Sequence, residues 1–251
     1  EIIYEKCSHL LNGSRIIIAR QKSEVLSKIK KRINLNTSKK IFFGKEFDYK
    51  KIDNRFLYKD NLGSINLPTP NLLGDFQLDN VTTAIATVRN LSQFNITSKH
   101  LKKSIVKIRS EGRLQKITKG NLRNYVSKNN QIIIDGAHNP LAASVVIKYL
   151  DSFENKKEIF MILGMMANKE HKEFIKLFKH KIKSISTVDI PNQTNFLGKE
   201  ELSKIALSCG ILSKTEKSIK IALKNISERN NNAVIFCTGS LYFAGEILNL
   251  N

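Results

Sequence analysis

Tryptophan is missing from this sequence, cysteine occurs three times, and 22 acidic residues face 42 lysines and arginines in 251 positions. Each shortage excludes something. Cys7, Cys209 and Cys237 are odd in number and far apart, which rules out a disulfide framework or paired zinc ligands and predicts reduced thiols. No apolar run approaches the roughly 20 residues that a helix needs to cross a bilayer, and the amino end carries no charged-then-apolar export signal. A cytoplasmic protein with no membrane partner is expected. The excess of 20 positive charges would suit nucleic acid or small polyanions. However, the lysines are scattered over every predicted helix, no arginine-rich tract occurs, and no stacking surface for bases stands out. No dedicated nucleic-acid partner is expected, and attraction of anionic substrates is the more economical use of the charge.

The pattern of elements changes near residue 110. Before it, Ile16 to Ala19 and Ile41 to Gly44 read as short strands flanking a helix from Glu24 to Ile33, a βαβ-like arrangement. Phe47, Tyr49, Phe56, Leu57, Tyr58, Ile65 and Leu67 then suggest small antiparallel strands. Helical spacing of Val81, Ala84, Ile85 and Val88 predicts a helix, with another around Leu101 to Ile108. After residue 110, candidate strands at Gln131 to Ile134, Glu158 to Leu163, Ser184 to Val188 and Ala233 to Cys237 alternate with helices. Those helices are expected at Leu141 to Phe153, Lys172 to His180, Lys199 to Cys209 and Ser218 to Glu228. The alternation predicts an α/β domain with a parallel sheet. It is Rossmann-like in architecture only, because no Gly-x-Gly-x-x-Gly fingerprint opens the first strand-helix unit.

Ile132, Ile133 and Ile134 fit a strand covered on both faces, and Asp135-Gly136-Ala137-His138-Asn139-Pro140 follows directly. Asn139-Pro140 stops the strand and opens the apolar run from Ala142 to Leu150 as a helix. Ligands of open α/β sheets bind at the carboxyl ends of the strands. Asp135 and His138 are therefore expected to project into a crevice, one as an acceptor and the other as a donor or proton carrier. The plainer alternative is an aspartate that caps the next helix and a structural histidine.

Asp135-Gly136-Ala137-His138-Asn139-Pro140 resembles the strand-end motif of the folylpolyglutamate synthase and dihydrofolate synthase family, a branch of the Mur ligase superfamily. Further segments match in the same order along the chain. Gly74-Asp75-Phe76-Gln77-Leu78-Asp79-Asn80 is similar to the family's Gly-x-x-Gln-x-x-Asn segment, which implies that Asn80 contacts the nucleotide; by default an asparagine at a helix start is an N-cap. Gly112-Arg113-Leu114-Gln115 resembles the element at the start of the family's C-terminal domain and makes Arg113 a phosphate or nucleotide ligand; standing alone it would be a linker arginine. Gly164-Met165-Met166-Ala167-Asn168-Lys169-Glu170 resembles a strand-end loop whose lysine, here Lys169, helps position the incoming glutamate or the phosphates. Gly239-Ser240-Leu241-Tyr242 resembles the terminal strand-to-helix turn of the folate branch, with Ser240 at an anion-receiving helix start or as a plain cap. Tyr4-Glu5-Lys6-Cys7 is similar to the family's Glu-Lys-Ala-Gly helix, in which the lysine is carbamylated and then lies near magnesium. Cys7-Ser8-His9 departs from the family's Ala-Gly-Ile there, and an exposed helix lysine is the alternative for Lys6.

The resemblance implies an ATP-dependent amide ligase that activates a folate carboxylate as an acyl phosphate for attack by L-glutamate. Implied cofactors are ATP and Mg2+, with K+ optional. The implied substrates are folate or dihydropteroate together with glutamate, and the implied assembly is a monomer. Asn80, Arg113, Asp135 and Ser240 would bind nucleotide, His138 and Lys169 would act at the reacting end, and carbamylated Lys6 would serve the metal. The family's Gly-x-x-x-x-Gly-Lys-(Ser/Thr) loop does not occur and the chain begins at Glu1. The expectation is thus a C-terminal fragment: residues 1–110 as a remnant of the P-loop-type central ATPase domain, and 111–251 as the Rossmann-like Mur ligase C-terminal, glutamate-ligase domain. Another Mur-type ligase, or a non-catalytic relic that binds nucleotide or nucleic acid, is the alternative.

Overall fold

A computed structural model describes residues 2–34, 38–153 and 157–251. The chain forms two compact units, one of Glu1–Asn71 with Asp75–Arg109 and the other of Leu72–Gly74 with Ser110–Asn251.

In the first unit α1 (Ile2–Ser8) precedes β1 (Arg15–Ile18), α2 (Ser23–Ile33) and β2 (Lys39–Phe42). β1 and β2 pair in parallel, Ile16 opposite Lys40 and Ile18 opposite Phe42, as the βαβ reading requires. β3 (Phe47–Ile52), β4 (Arg55–Asp60) and β5 (Gly63–Pro68) form an antiparallel three-stranded sheet. Alternation along β4 sends Phe56 and Tyr58 into the core, where they meet Phe47, Leu67 and residues of α3 (Phe76–Arg89) such as Leu78, Val81 and Ile85. α4 (Ser98–Ile105) adds Leu101 and Ile105. It opens on a reciprocal cap between Thr97 and His100. A polar link ties β4 to α3: Arg89 donates to Asp60 through Nε at 2.6 Å and Nη2 at 3.0 Å, and the Tyr58 hydroxyl donates to the same carboxylate at 3.0 Å.

The second unit is one six-stranded sheet in the order β10-β9-β8-β11-β7-β6. Its elements run β6 (Gln115–Ile117), β7 (Gln131–Ile134), α5 (Pro140–Leu150), β8 (Glu158–Leu163), α6 (His171–Lys176), β9 (Ser184–Thr187), α7 (Lys199–Ser208), β10 (Leu212–Thr215), α8 (Ile219–Arg229), β11 (Ala233–Thr238) and α9 (Leu241–Asn249). Five strands are parallel. The four expected strands are all among these, and the sixth strand adds an edge the alternation does not signal: β6 runs antiparallel along β7, Gln115 opposite Ile134. All six residues of β11 are buried, because it lies between β8 and β7 and is covered on both faces. Ile235 and Cys237 join Leu223, Ile226, Phe243 and Ile247 in one layer, whereas Phe236 meets Phe178, which in turn meets Phe174 of α6.

Burial pushes the Cys237 thiol up to about 12, so it stays protonated and inert at neutral pH. All three cysteines are free. The helix expected to reach His180 stops at Lys176, and the one expected to reach Ile108 stops at Ile105. Among the described residues no helix is long and apolar enough to cross a membrane.

Candidate functional site

Three parallel strands of the second unit, β7, β11 and β8, end together, and their loops are stitched by backbone hydrogen bonds. The Gly136 N–H donates to the Gly112 carbonyl at 2.8 Å, the Gly239 N–H to the Ala137 carbonyl at 3.0 Å, and the Gly164 N–H to the Thr238 carbonyl at 3.2 Å. Glycine is required at two of these crossings. A side chain on Gly136 would sit 2.2 Å from Leu241 Cδ2, and one on Gly239, whose φ is +119°, would sit 2.4 Å from the Gly164 carbonyl oxygen. Because β6 runs antiparallel, its beginning reaches the same edge and brings Gly112-Arg113-Leu114 beside the end of β7.

Asp135 holds this arrangement together. It is 4% exposed, its Oδ2 accepts the Leu114 N–H at 2.8 Å, and its Oδ1 accepts the Ala137 N–H at 2.8 Å. The expectation that Asp135 projects into a crevice is therefore corrected: the carboxylate turns inward, because two buried amide donors outcompete water for it. Burial pushes the carboxyl above its usual range, against the opposing pull of the Leu114 and Ala137 amides and the charges of Arg113 and His138. Leu114 is buried and has a φ of +48°, a left-handed conformation that costs an ordinary side chain about 1–2 kcal/mol. Its hydrogen bond to a charged acceptor offsets that cost. Gln115, to which the motif assigns no role, accepts the Gly112 N–H through Oε1 at 2.9 Å and closes the turn around Arg113. The three-residue spacing of Gly112 and Gln115 is the signal that could have revealed it.

With Gly112 and Leu114 pinned, Arg113 stands exposed between them. Its guanidinium makes no hydrogen bond or ion pair among the described residues, and such a fork is free to take two oxygens of a phosphate or carboxylate. His138 is half-buried, with Nδ1 at 2.8 Å from the Gly136 carbonyl. A carbonyl only accepts, so Nδ1 carries the proton and Nε2 is left to accept from, or exchange a proton with, a ligand. Asn139, not Asp135, caps α5, accepting the Ala142 N–H at 2.9 Å with Pro140 at the first helical position.

Ser240 is buried and caps α9, its Oγ accepting the Tyr242 N–H at 3.1 Å, which is the plain reading of that serine. Lys169 is half-buried in the loop after β8. That loop is tied down by the His171 ring on the Met166 carbonyl at 2.9 Å and by the Ala167 N–H on the Asn195 carbonyl at 3.1 Å. The second unit thus gathers Arg113, Asp135, His138, Lys169 and Ser240 on loops at one edge of its sheet.

Asn80 and Lys6 belong to the first unit. Asn80 is exposed within α3, its Nδ2 donating to Gln77 Oε1 at 3.1 Å. The N-cap reading fails because α3 already begins at Phe76, with Asp75 at the cap position. Lys6 is an exposed lysine on α1 paired with Glu5 at 3.2 Å.

A family model described as dihydrofolate synthetase, C-terminal domain, matches residues 118–250. Among curated proteins, the chain is 26% identical over 197 residues to folylpolyglutamate synthase of Lacticaseibacillus casei, covering 77% of this chain and 42% of that enzyme. It is 30% identical over 128 residues to dihydrofolate synthase/folylpolyglutamate synthase of Buchnera aphidicola subsp. Baizongia pistaciae, covering 51% of this chain and 27% of that enzyme. Among solved structures, E. coli FolC in complex with DHPP and ADP gives a TM-score of 0.80 at 18% identity, covering 99% of this chain and 55% of FolC. Folylpolyglutamate synthase of Thermotoga maritima gives 0.75 at 18% identity, covering 99% and 56%. These structural likenesses establish the α/β fold. The chain spans about half the length, or less, of the relatives it matches.

Proposed function

The chain belongs to the folylpolyglutamate synthase and dihydrofolate synthase family, and from that premise we propose that it serves an ATP-dependent ligase joining L-glutamate to a folate or dihydropteroate carboxylate. The observation that carries this reading is the Asp135 clamp, which fixes the turn around Arg113 at the strand edge where ligands of such sheets bind. Residues 1–110 would contribute the end of the ATPase domain and 111–251 the glutamate-ligase domain, acting in the cytoplasm as a monomer.

In this scheme Arg113 binds phosphate oxygens, Asp135 holds the Arg113 turn in place, and Ser240 fixes the start of α9 beside the phosphates. The exposed Asn80 amide reads the nucleotide base. His138 offers Nε2 to the reacting carboxyl and amine, and Lys169 pairs with the carboxylates of the incoming glutamate. ATP would supply the phosphoryl group that turns the substrate carboxylate into an acyl phosphate. The ADP and AMPPNP in solved FolC-type complexes support a nucleotide site. Manganese is named with one of those complexes, but the residues here do not fit a metal by themselves. Among the described residues no cluster of three or more histidines, cysteines or carboxylates could hold an ion, and Lys6 is an exposed side chain paired with Glu5. Mg2+ and K+ therefore enter no step assigned to these side chains.

The test is glutamate-dependent ADP release with tetrahydrofolate and with dihydropteroate. It is measured on a chimera in which the amino-terminal part of the L. casei enzyme, outside the matched region, precedes this chain. Release that requires both glutamate and a folate supports the ligase. Arg113→Ala should then raise the KM for ATP by about 10–100-fold, the loss of a hydrogen bond to a charged group; unchanged ATP kinetics would remove Arg113 from the site. A folded chimera silent with both pteridine substrates would favour another Mur-type ligase or a nucleotide-binding relic.

A further inference from the structure

Glycine follows asparagine or aspartate at two places in this chain, Asn12-Gly13 and Asp135-Gly136. Such a pair is intrinsically reactive, because glycine has no side chain to screen its backbone nitrogen from the side-chain carbonyl carbon of the residue before it. The fold treats the two pairs oppositely. Asn12 and Gly13 are exposed in the turn between α1 and β1. The turn is closed by the Ser14 N–H on the Leu11 carbonyl at 3.3 Å and by the Ser14 hydroxyl on the same oxygen at 2.6 Å. Those bonds leave its middle untied: among the described residues neither the Gly13 N–H nor the Asn12 side chain has a hydrogen-bond partner. A Cβ added at Gly13 would meet nothing within 4 Å, so solvent reaches its nitrogen. Asp135-Gly136 is the reverse case. The Gly136 N–H donates to the Gly112 carbonyl at 2.8 Å, and both carboxylate oxygens of the buried Asp135 accept backbone amides. Attack there requires the nitrogen to leave the Gly112 carbonyl and the carboxyl to leave the Leu114 or Ala137 amide, and buried groups that lose such partners are costly.

We propose that Asn12 is a modification site, deamidated spontaneously through attack by its own backbone, and that the hydrogen bonds around Asp135 withhold the corresponding isomerisation from Asp135-Gly136. At Asn12 the Gly13 nitrogen gives its proton to a solvent base and bonds to Cγ. The Cγ–Nδ2 bond breaks, and the amide nitrogen takes up a proton and leaves as ammonia. Water then opens the five-membered imide at either carbonyl, which yields aspartate, or isoaspartate with the chain running through Cβ and Cγ. The sum consumes one water, releases one ammonia and changes no oxidation state. Either product puts a negative charge in the turn, and isoaspartate lengthens the backbone between α1 and β1 by one methylene. At Asp135 the same ring would form with loss of water, and its opening would reroute the chain at the strand end that carries His138. Neither half of the proposal depends on the ligase reading, since both rest on exposure and hydrogen bonding.

The experiment is prolonged incubation of the 251-residue chain in mildly alkaline buffer, native and in guanidinium chloride, followed by digestion and mass spectrometry. Electron-transfer fragmentation separates isoaspartate from aspartate. In the native chain Asn12 is expected to lose its amide well before Asn61 and Asn195, which are exposed but precede Leu62 and Phe196. Asp135 is expected to isomerise at least about tenfold more slowly in the native chain than in the unfolded one, the effect of one or more buried bonds that must first break. An Asn12 that converts in guanidinium chloride but stays intact in the native chain, or that converts no faster than Asn61 and Asn195, overturns the modification site. Equal rates at Asp135 in the two states overturn the shielding.

Discussion

Asp135 and Arg113 are separated by 21 intervening residues, yet Asp135 decides where Arg113 can be, through the amide of the neighbouring Leu114. A carboxylate that accepts two buried backbone N–H groups acts by position, and its distance from solvent separates it from the exposed arginine it supports. The same reasoning applies to Gly136, where an added methyl group would meet Leu241 Cγ at 2.7 Å as well as Cδ2. Gly136→Ala should lower the stability of the second unit by roughly 1–3 kcal/mol, as overfilled sites do. Removing the obstacle in Gly136→Ala/Leu241→Ala should recover part of that loss. Urea unfolding of the two variants measures it, and independent, additive losses would mean that the two residues do not compete for space. The identity of these residues was legible in the sequence as a motif. Their inward or outward direction was not, because the Asp135 bond to Leu114 is long-range and no local pattern encodes it.

Strands with a run of β-branched residues declared themselves: β7 and β8 occupy the expected residues because Ile132–Ile134 and Ile159–Leu163 are apolar along their length. β10 escaped notice since Leu-Ser-Lys-Thr at an edge needs no apolar run, and its Leu212 is 73% exposed. β6 has three residues, too few for a period, and nothing local signals its antiparallel direction. In the first unit, the junction of β4 with α3 predicts a pH dependence. Burial alone would raise the Asp60 carboxyl. Hydrogen bonds from Arg89, the Leu62 amide and the Tyr58 hydroxyl outweigh burial and hold it below its ordinary 3.8. A folded-state value below the unfolded one gives stability that is present above about pH 4 and lost as pH falls through the lowered value. The denaturation midpoint of the first unit should therefore drop on acidification below that point. Asp60→Asn should be less stable at neutral pH, because it leaves Arg89 without its partner, and should show a flatter acid limb. An equally steep limb in the variant would place the titration elsewhere.

Across the whole molecule the charge of +20 opposes compactness through self-repulsion. Raising ionic strength from about 10 mM to about 0.3 M, which contracts the screening length from roughly 30 Å to well under 10 Å, should raise the thermal midpoint. A fall would show that the surface ion pairs outweigh the repulsion. The order of the larger sheet carries a different consequence. β11 follows the other five strands of this sheet in sequence, yet it fills the gap between β8 and β7. A ribosome must release some hundred residues after β7 before its partner exists, and until then β7 and β8 each present a bare apolar edge to the cell. The sheet of the second unit therefore cannot close before β11 has emerged, and a premature stop before Ala233 would yield two half-sheets with no centre.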